Sequence, residues 1–261
     1  MNNKNKKIIF ILGLGLLILG LGFQLSNQSR EIASDSNFST STPTNDPSGE
    51  TQEIIITPAD LLPPYQGVPV ADLDADLKIV NQISSAEFER QKKILIELSE
   101  NLKSNPADIE SWFTAAIIKK FFNDLVGARD IWEYVAKISP NNSVAHNNLG
   151  NLEKLENKNY SVAESHYLKA ISNDPKFSPA ITNLAELYWS FLLDRQPDAL
   201  KILKQGIAAN PEAADLMATL GGYYRSLGDK EQSLKYFKDA LNLNPKNEGL
   251  RKVIQDIEAT L

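Results

Sequence analysis

Residues 214–247 read ADLMATLGGYYRSLGDKEQSLKYFKDALNLNPKN, and this stretch decides the fold. Met217, Leu220, Gly221 and Tyr224 recur at helical spacing, as do Ser233, Phe237 and Ala240 after the break at Gly228-Asp229. Two amphipathic helices joined by a short turn follow from that pattern. The closing Asn244-Pro245 is one of five such marks, at Pro106, Pro140, Pro175, Pro211 and Pro245, spaced 34, 35, 36 and 34 residues apart. Each follows a short polar residue: Asn105, Ser139, Asp174, Asn210 and Asn244. Proline cannot continue a helix and turns its predecessor away from helical dihedrals. A period near 34 with this punctuation is the signature of a helical repeat array.

Working outward, the same small and large residues return in every interval. With the proline counted as position 32, position 8 holds Ala116, Gly150, Ala185 and Gly221. Position 20 holds Ala128, Ala163, Ala199 and Ser233, and position 24 holds Trp132, Tyr167, Leu203 and Phe237. The second unit carries one extra residue near Leu155 to Asn157, and the third a two-residue insertion between its helices. Small residues let antiparallel helices approach, and large ones fill the gaps between neighbours.

This pattern over residues 107–247 resembles the tetratricopeptide repeat, with repeats at about 109–142, 143–177, 178–213 and 214–247. The departures are Lys119 and Glu153 where an aromatic is usual, and His146 where a large apolar residue is usual. The resemblance implies an all-α, right-handed superhelix of about four helix pairs with flanking helices. Ser84 and Glu87 form a capping-box pattern that opens a packing helix over 85–104, with Phe88, Leu95, Leu98 and Leu102 on one stripe. Leu250, Val253, Ile254 and Ile257 form the stripe of a capping helix over 248–261, which a repeat array needs at its end.

Ahead of the array, Lys4, Lys6 and Lys7 lie in a basic tail over 1–7, followed by the apolar run 8–25. At 18 residues that run makes a helix of about 27 Å, near the hydrocarbon thickness of a bilayer. It is expected to be an uncleaved transmembrane signal-anchor, with a secretory signal peptide as the rival reading. The charge bias places the N-terminus in the cytoplasm and the repeats outside the inner membrane, as a single-pass membrane protein. Residues 26–62 are rich in Ser, Thr, Asn, Pro and Asp and are expected to be a disordered linker. Residues 63–84 follow as an extended lead-in segment.

A net charge of -6 argues against nucleic acid as a partner, since a phosphate-backbone binder needs a basic face. The chain has no cysteine and two histidines, His146 and His166, which match no ligand or triad spacing. Asp72, Asp74 and Asp76 have calcium-loop spacing, but Leu77 stands at the sixth position and Ile83 at the twelfth, so the site fails. No catalytic residue, metal site, cofactor or small-molecule substrate is expected, and the chain is read as not an enzyme.

The resemblance also implies where binding would occur, on the first helix of each repeat. Carried onto this chain, those positions are Phe113, Ile117 and Lys120; Asn147, Asn148, Asn151 and Lys154; Thr182, Asn183, Glu186 and Trp189; and Asp215, Gly222 and Arg225. Asn148 and Asn183 share position 6, and an amide can both donate to and accept from a peptide backbone. The alternative is that these asparagines are merely compatible polar surface. Repeats that clamp a C-terminal carboxylate place cations where this chain has Asn147, Asp215 and Thr219, so that sub-family is excluded. The expectation is a membrane-tethered scaffold that binds a protein or extended peptide, in envelope assembly or protein quality control. Its rivals are an organelle-surface import receptor with cytosolic repeats and a catalytic or glycan-processing role.

Overall fold

The structure is a computed structural model of the 261-residue chain. It describes the backbone of residues 40–45 and 51–56 and all of residues 61–260. Chain contacts divide it into two compact units at Pro140 and Asn141.

Unit 1 holds a two-stranded antiparallel sheet, β1 (Thr40–Asn45) and β2 (Thr51–Ile56), with Thr40 opposite Ile56 and Asn45 opposite Thr51. Helices α1 (Leu77–Val80), α2 (Ser85–Ser104), α3 (Ile109–Phe121) and α4 (Leu125–Ile138) follow. Their starts are written in the sequence. Asp76, Ser84, Asp108 and Asp124 each accept a backbone N–H from the first turn of the helix they cap. The capping box at Ser84 is half made: its hydroxyl takes the Glu87 N–H, while the Glu87 carboxylate turns to Arg90 and Gln91. Leu95, Trp112, Phe113, Ile131, Trp132 and Val135 are buried.

Unit 2 holds three helix pairs and a cap. They are α5 (Ser143–Leu152) with α6 (Tyr160–Asn173), α7 (Ser178–Ser190) with α8 (Gln196–Ala209), α9 (Ala214–Ser226) with α10 (Lys230–Leu243), and α11 (Glu248–Glu258). Across both units, five helices end on Asn105, Ser139, Asp174, Asn210 and Asn244, each one residue before its proline. The extra residue of the second repeat appears as a π-helical turn over Glu153–Asn157, closed by Lys158 at φ 51°. One added residue inside a helix produces that wider turn. The insertion of the third repeat appears as a 3-10 turn, Leu193–Arg195.

Glycine sets how closely α5 and α6 approach. A Cβ on Gly150 would stand 2.6 Å from the Tyr167 ring. The same relation holds in the last pair, where a Cβ on Gly221 would meet the Phe237 ring at 3.0 Å. Around these contacts Ile181, Leu184, Leu187, Leu203 and Leu216 form the buried core of unit 2.

Two expectations are corrected. Part of the stretch read as a disordered linker over 26–62 pairs as β1 and β2, so the described chain is not wholly α-helical. The β-branched run Ile54-Ile55-Ile56 suits a strand despite the polar composition around it. The second correction concerns the membrane. Among the described residues no helix is long and apolar enough to cross one. The 20-residue α2 has the length, but it carries Arg90, Lys92, Lys93, Glu97 and Glu100 along its exposed side. The run 8–25 lies outside the described residues. The membrane-anchored type, the transmembrane signal-anchor, the tethered function, the membrane as a partner and the single-pass extracytoplasmic location are therefore withdrawn. What stands is an array of helix pairs.

Candidate peptide-binding site

The first helices of the three pairs in unit 2, α5, α7 and α9, touch side by side through polar groups. Asn183 on α7 donates from Nδ2 to Asn147 Oδ1 on α5 at 2.8 Å. Lys154 Nζ, in the π turn that extends α5, meets Glu186 Oε2 on α7 at 2.6 Å. Thr182 and Thr219 bring their hydroxyls within 3.3 Å, linking α7 to α9. Asn183, Thr182, Glu186 and Thr219 are half-buried, while Asn147 and Lys154 on the α5 side are buried, so water reaches the ladder through its α7 and α9 members.

The remaining predicted residues divide clearly. Asn148 turns its Nδ2 back to the Val144 carbonyl of its own helix, at 2.9 Å, so it does not join Asn183. Asn151 Oδ1 accepts from the Tyr167 hydroxyl at 2.9 Å, behind the ladder. Trp189 is half-buried, with its ring 5.7 Å from Tyr223. Asp215 and Arg225 lie on α9 with their side chains partly open to water, and nothing lies within 4 Å of where a Gly222 Cβ would be. Phe113, in unit 1, is only 2% exposed and packs 5.2 Å from the Trp132 ring. Ile117 and Lys120 in that unit are half-buried.

One cluster was not foreseen. Tyr188 donates to Glu164 Oε1 at 2.7 Å, and Arg195 reaches the same oxygen at 3.1 Å and Asp198 at 2.5 Å. The Arg195 guanidinium also lies 4.6 Å from the Tyr188 ring centre. Burial first, and then the Glu164 carboxylate, push the Tyr188 phenol well above its usual value, while Asp198 chiefly raises Arg195. Arg195 sits in the insertion of the third repeat, outside the repeat register, so position counting could not place it. Burial likewise raises the Tyr167 phenol, and Glu186 adds to the shift.

The two histidines approach each other, with Nδ1 atoms 3.5 Å apart. Among the described residues no group of three or more His, Cys, Asp or Glu could hold a metal ion.

The family model for the tetratricopeptide repeat matches residues 214–247. Among solved structures, TTC0263, a thermophilic TPR protein of Thermus thermophilus, superimposes with a TM-score of 0.53 at 20% identity. That match covers 67% of this chain and 93% of TTC0263. The fold is the tetratricopeptide repeat fold. Two curated proteins share sequence with it. Protein FlbA of Caulobacter vibrioides is 29% identical over 137 residues, 52% of this chain and 22% of FlbA. Hsp70-Hsp90 organizing protein 1 of Glycine max is 26% identical over 109 residues, 40% of this chain and 19% of that protein. The chain thus spans about a fifth of the length of these relatives. The reading of the chain as a repeat protein agrees with the fold.

Proposed function

We propose that the protein is a scaffold that binds an extended segment of another protein along α5, α7 and α9. The observation that carries this reading is the polar ladder, above all the Asn147–Asn183 pair. After that one bond is made, half-buried Asn183 keeps acceptor capacity that an extended backbone N–H can use, while buried Asn147 fixes its orientation. Glu186 and Asp215 add negative charge, while Lys154 is already held by Glu186. The face therefore suits a neutral or basic internal segment and repels a free C-terminal carboxylate. One relative is named for organizing Hsp70 and Hsp90, and bringing proteins together fits a face of this kind.

The test is capture of a crosslinked partner by the full chain. A photo-crosslinking residue at Thr219 is expected to trap the partner, whereas one at Lys235 on α10 traps none. Asn183→Ala, which removes the half-buried member of the Asn147–Asn183 pair, should lower capture at least tenfold while the melting temperature moves by only a few degrees. If Lys235→Glu abolishes capture and Asn183→Ala leaves it intact, the binding face lies on the second helices and the reading falls.

A further inference from the structure

Unit 1 contains a peptide-like contact that the repeat register does not call for. Residues 62–69 run without helix or strand against α3 and α4. The Pro63 carbonyl accepts from the Tyr134 hydroxyl at 2.9 Å, and the Val68 N–H donates to Asp130 Oδ2 at 2.8 Å. Between these two backbone anchors the Tyr65 ring sits 4.9 Å from Trp112 and 5.3 Å from Tyr134. Gly67 lies so close to α4 that a Cβ there would stand 2.5 Å from Asp130 Cβ. Beside the segment is a cavity of about 350 Å³, lined in part by Pro64, Tyr65, Leu102, Trp112 and Tyr134.

These are the contacts by which a receptor holds an extended peptide. A carboxylate takes a backbone N–H, a hydroxyl serves a backbone carbonyl, and an aromatic pair clasps one ring. Three prolines, Pro63, Pro64 and Pro69, stiffen the segment and so lower the entropy lost on docking. The receptor residues are particular to the first helix pair. In the same register the fourth repeat has Met217, Lys235 and Asp239 where the first has Trp112, Asp130 and Tyr134. A repeat packing rule would not single out that trio.

We propose that the first helix pair carries a second peptide-binding site, built for an extended proline- and tyrosine-bearing segment, with residues 62–70 as its resident intramolecular ligand. The site is separate from the ladder on α5, α7 and α9, so each stands or fails without the other. While the resident segment is docked, the site is closed to other proteins; its release makes Trp112, Asp130 and Tyr134 available.

A labelled synthetic peptide of sequence LLPPYQGVPV, titrated against the full chain, tests this. Gly67→Ala and Tyr65→Ala weaken the resident segment, so both variants are expected to bind the peptide saturably, at least tenfold more tightly than the unaltered chain. Adding Asp130→Ala to Tyr65→Ala should return binding to background. The proposal is overturned if neither variant binds the peptide, or if Asp130→Ala leaves binding unchanged. It is also overturned if both variants lose the helical circular-dichroism signal, since the segment would then be part of the fold and not a ligand. A dimer of the unaltered chain that Tyr65→Ala dissolves would assign the site to a second copy's segment and overturn the intramolecular reading.

Discussion

Lys119 in unit 1 and Lys154 in unit 2 are both withdrawn from water, and they are paired in different ways. Lys119 is fully buried, and its partner Asp124, 2.9 Å away, is almost as deep at 3% side-chain exposure. Asp124 also caps α4 through the Gly127 N–H, and the Lys119 ammonium donates to the Asp72 carbonyl of the lead-in segment. Three pieces of chain thus meet at one closed ion pair. Lys154 is 5% exposed, but the side chain of its partner Glu186 is 45% exposed. The first pair is a structural joint. The second lies open on the face proposed to bind, where its carboxylate is accessible to water and to a ligand.

The largest effect should come from breaking the closed pair. Asp124→Ala strands a buried ammonium and removes a helix cap, and a loss of about 3–5 kcal/mol is expected in urea unfolding. The Ala128 N–H to Asp124 carbonyl bond survives the substitution, so the loss reports the side chain. A loss below about 1 kcal/mol would show that Lys119 reaches water in the variant and that the joint is not closed.

How much of this was readable beforehand differs by element. The helix ends were legible because proline acts through the backbone alone, whatever packs around it. The π turn and the 3-10 turn were legible as length mismatches at Leu155 to Asn157 and after Ser190. Side-chain direction was not. Asn148 and Asn183 share a register position, yet Asn183 bonds Asn147, because Asn148 satisfies its own helix first. Phe113 falls on a binding position by register but packs on Trp132, since a ring of that size finds more apolar contact inward than outward. The joint at Lys119 had a signal, an aspartate five residues on at the next helix start, but lysine at an aromatic position reads first as a departure from the pattern. Nothing in the sequence joined Val68 to Asp130, 62 residues away.

The second prediction sharpens the contrast by showing what holds unit 2 together instead. There two of the helix pairs close through glycines facing rings, Gly150 on Tyr167 and Gly221 on Phe237, in place of a closed ion pair. Gly150→Ala places a methyl where the Tyr167 ring now lies, and that ring is fixed at its far end by its hydroxyl bond to Asn151. Overpacking of this kind costs about 1–3 kcal/mol, offset in part by about 1 kcal/mol of improved helix propensity. A lower midpoint in urea is expected, together with retained helical signal. A raised midpoint would mean that α6 slides to admit the methyl, and that the close approach is not what specifies the pair.

The smallest effect belongs to the open pair. Glu186→Gln removes the charge facing Lys154 but leaves an amide oxygen that can accept from the ammonium. Because the carboxylate is nearly half exposed, water and counterions already screen it, and such pairs are worth about 0–1 kcal/mol. Stability should therefore move by less than about 1 kcal/mol and depend little on salt. Binding should respond differently. If the occupant of the α5, α7 and α9 face is a basic segment, loss of this carboxylate weakens its capture most at low ionic strength, and the gap from the unaltered chain narrows as salt is added. A drop in stability as large as that of Asp124→Ala would show the second pair to be a closed joint as well. The difference between the two lysines would then be one of exposure in appearance only, and the assignment of Glu186 to a binding face would fail with it.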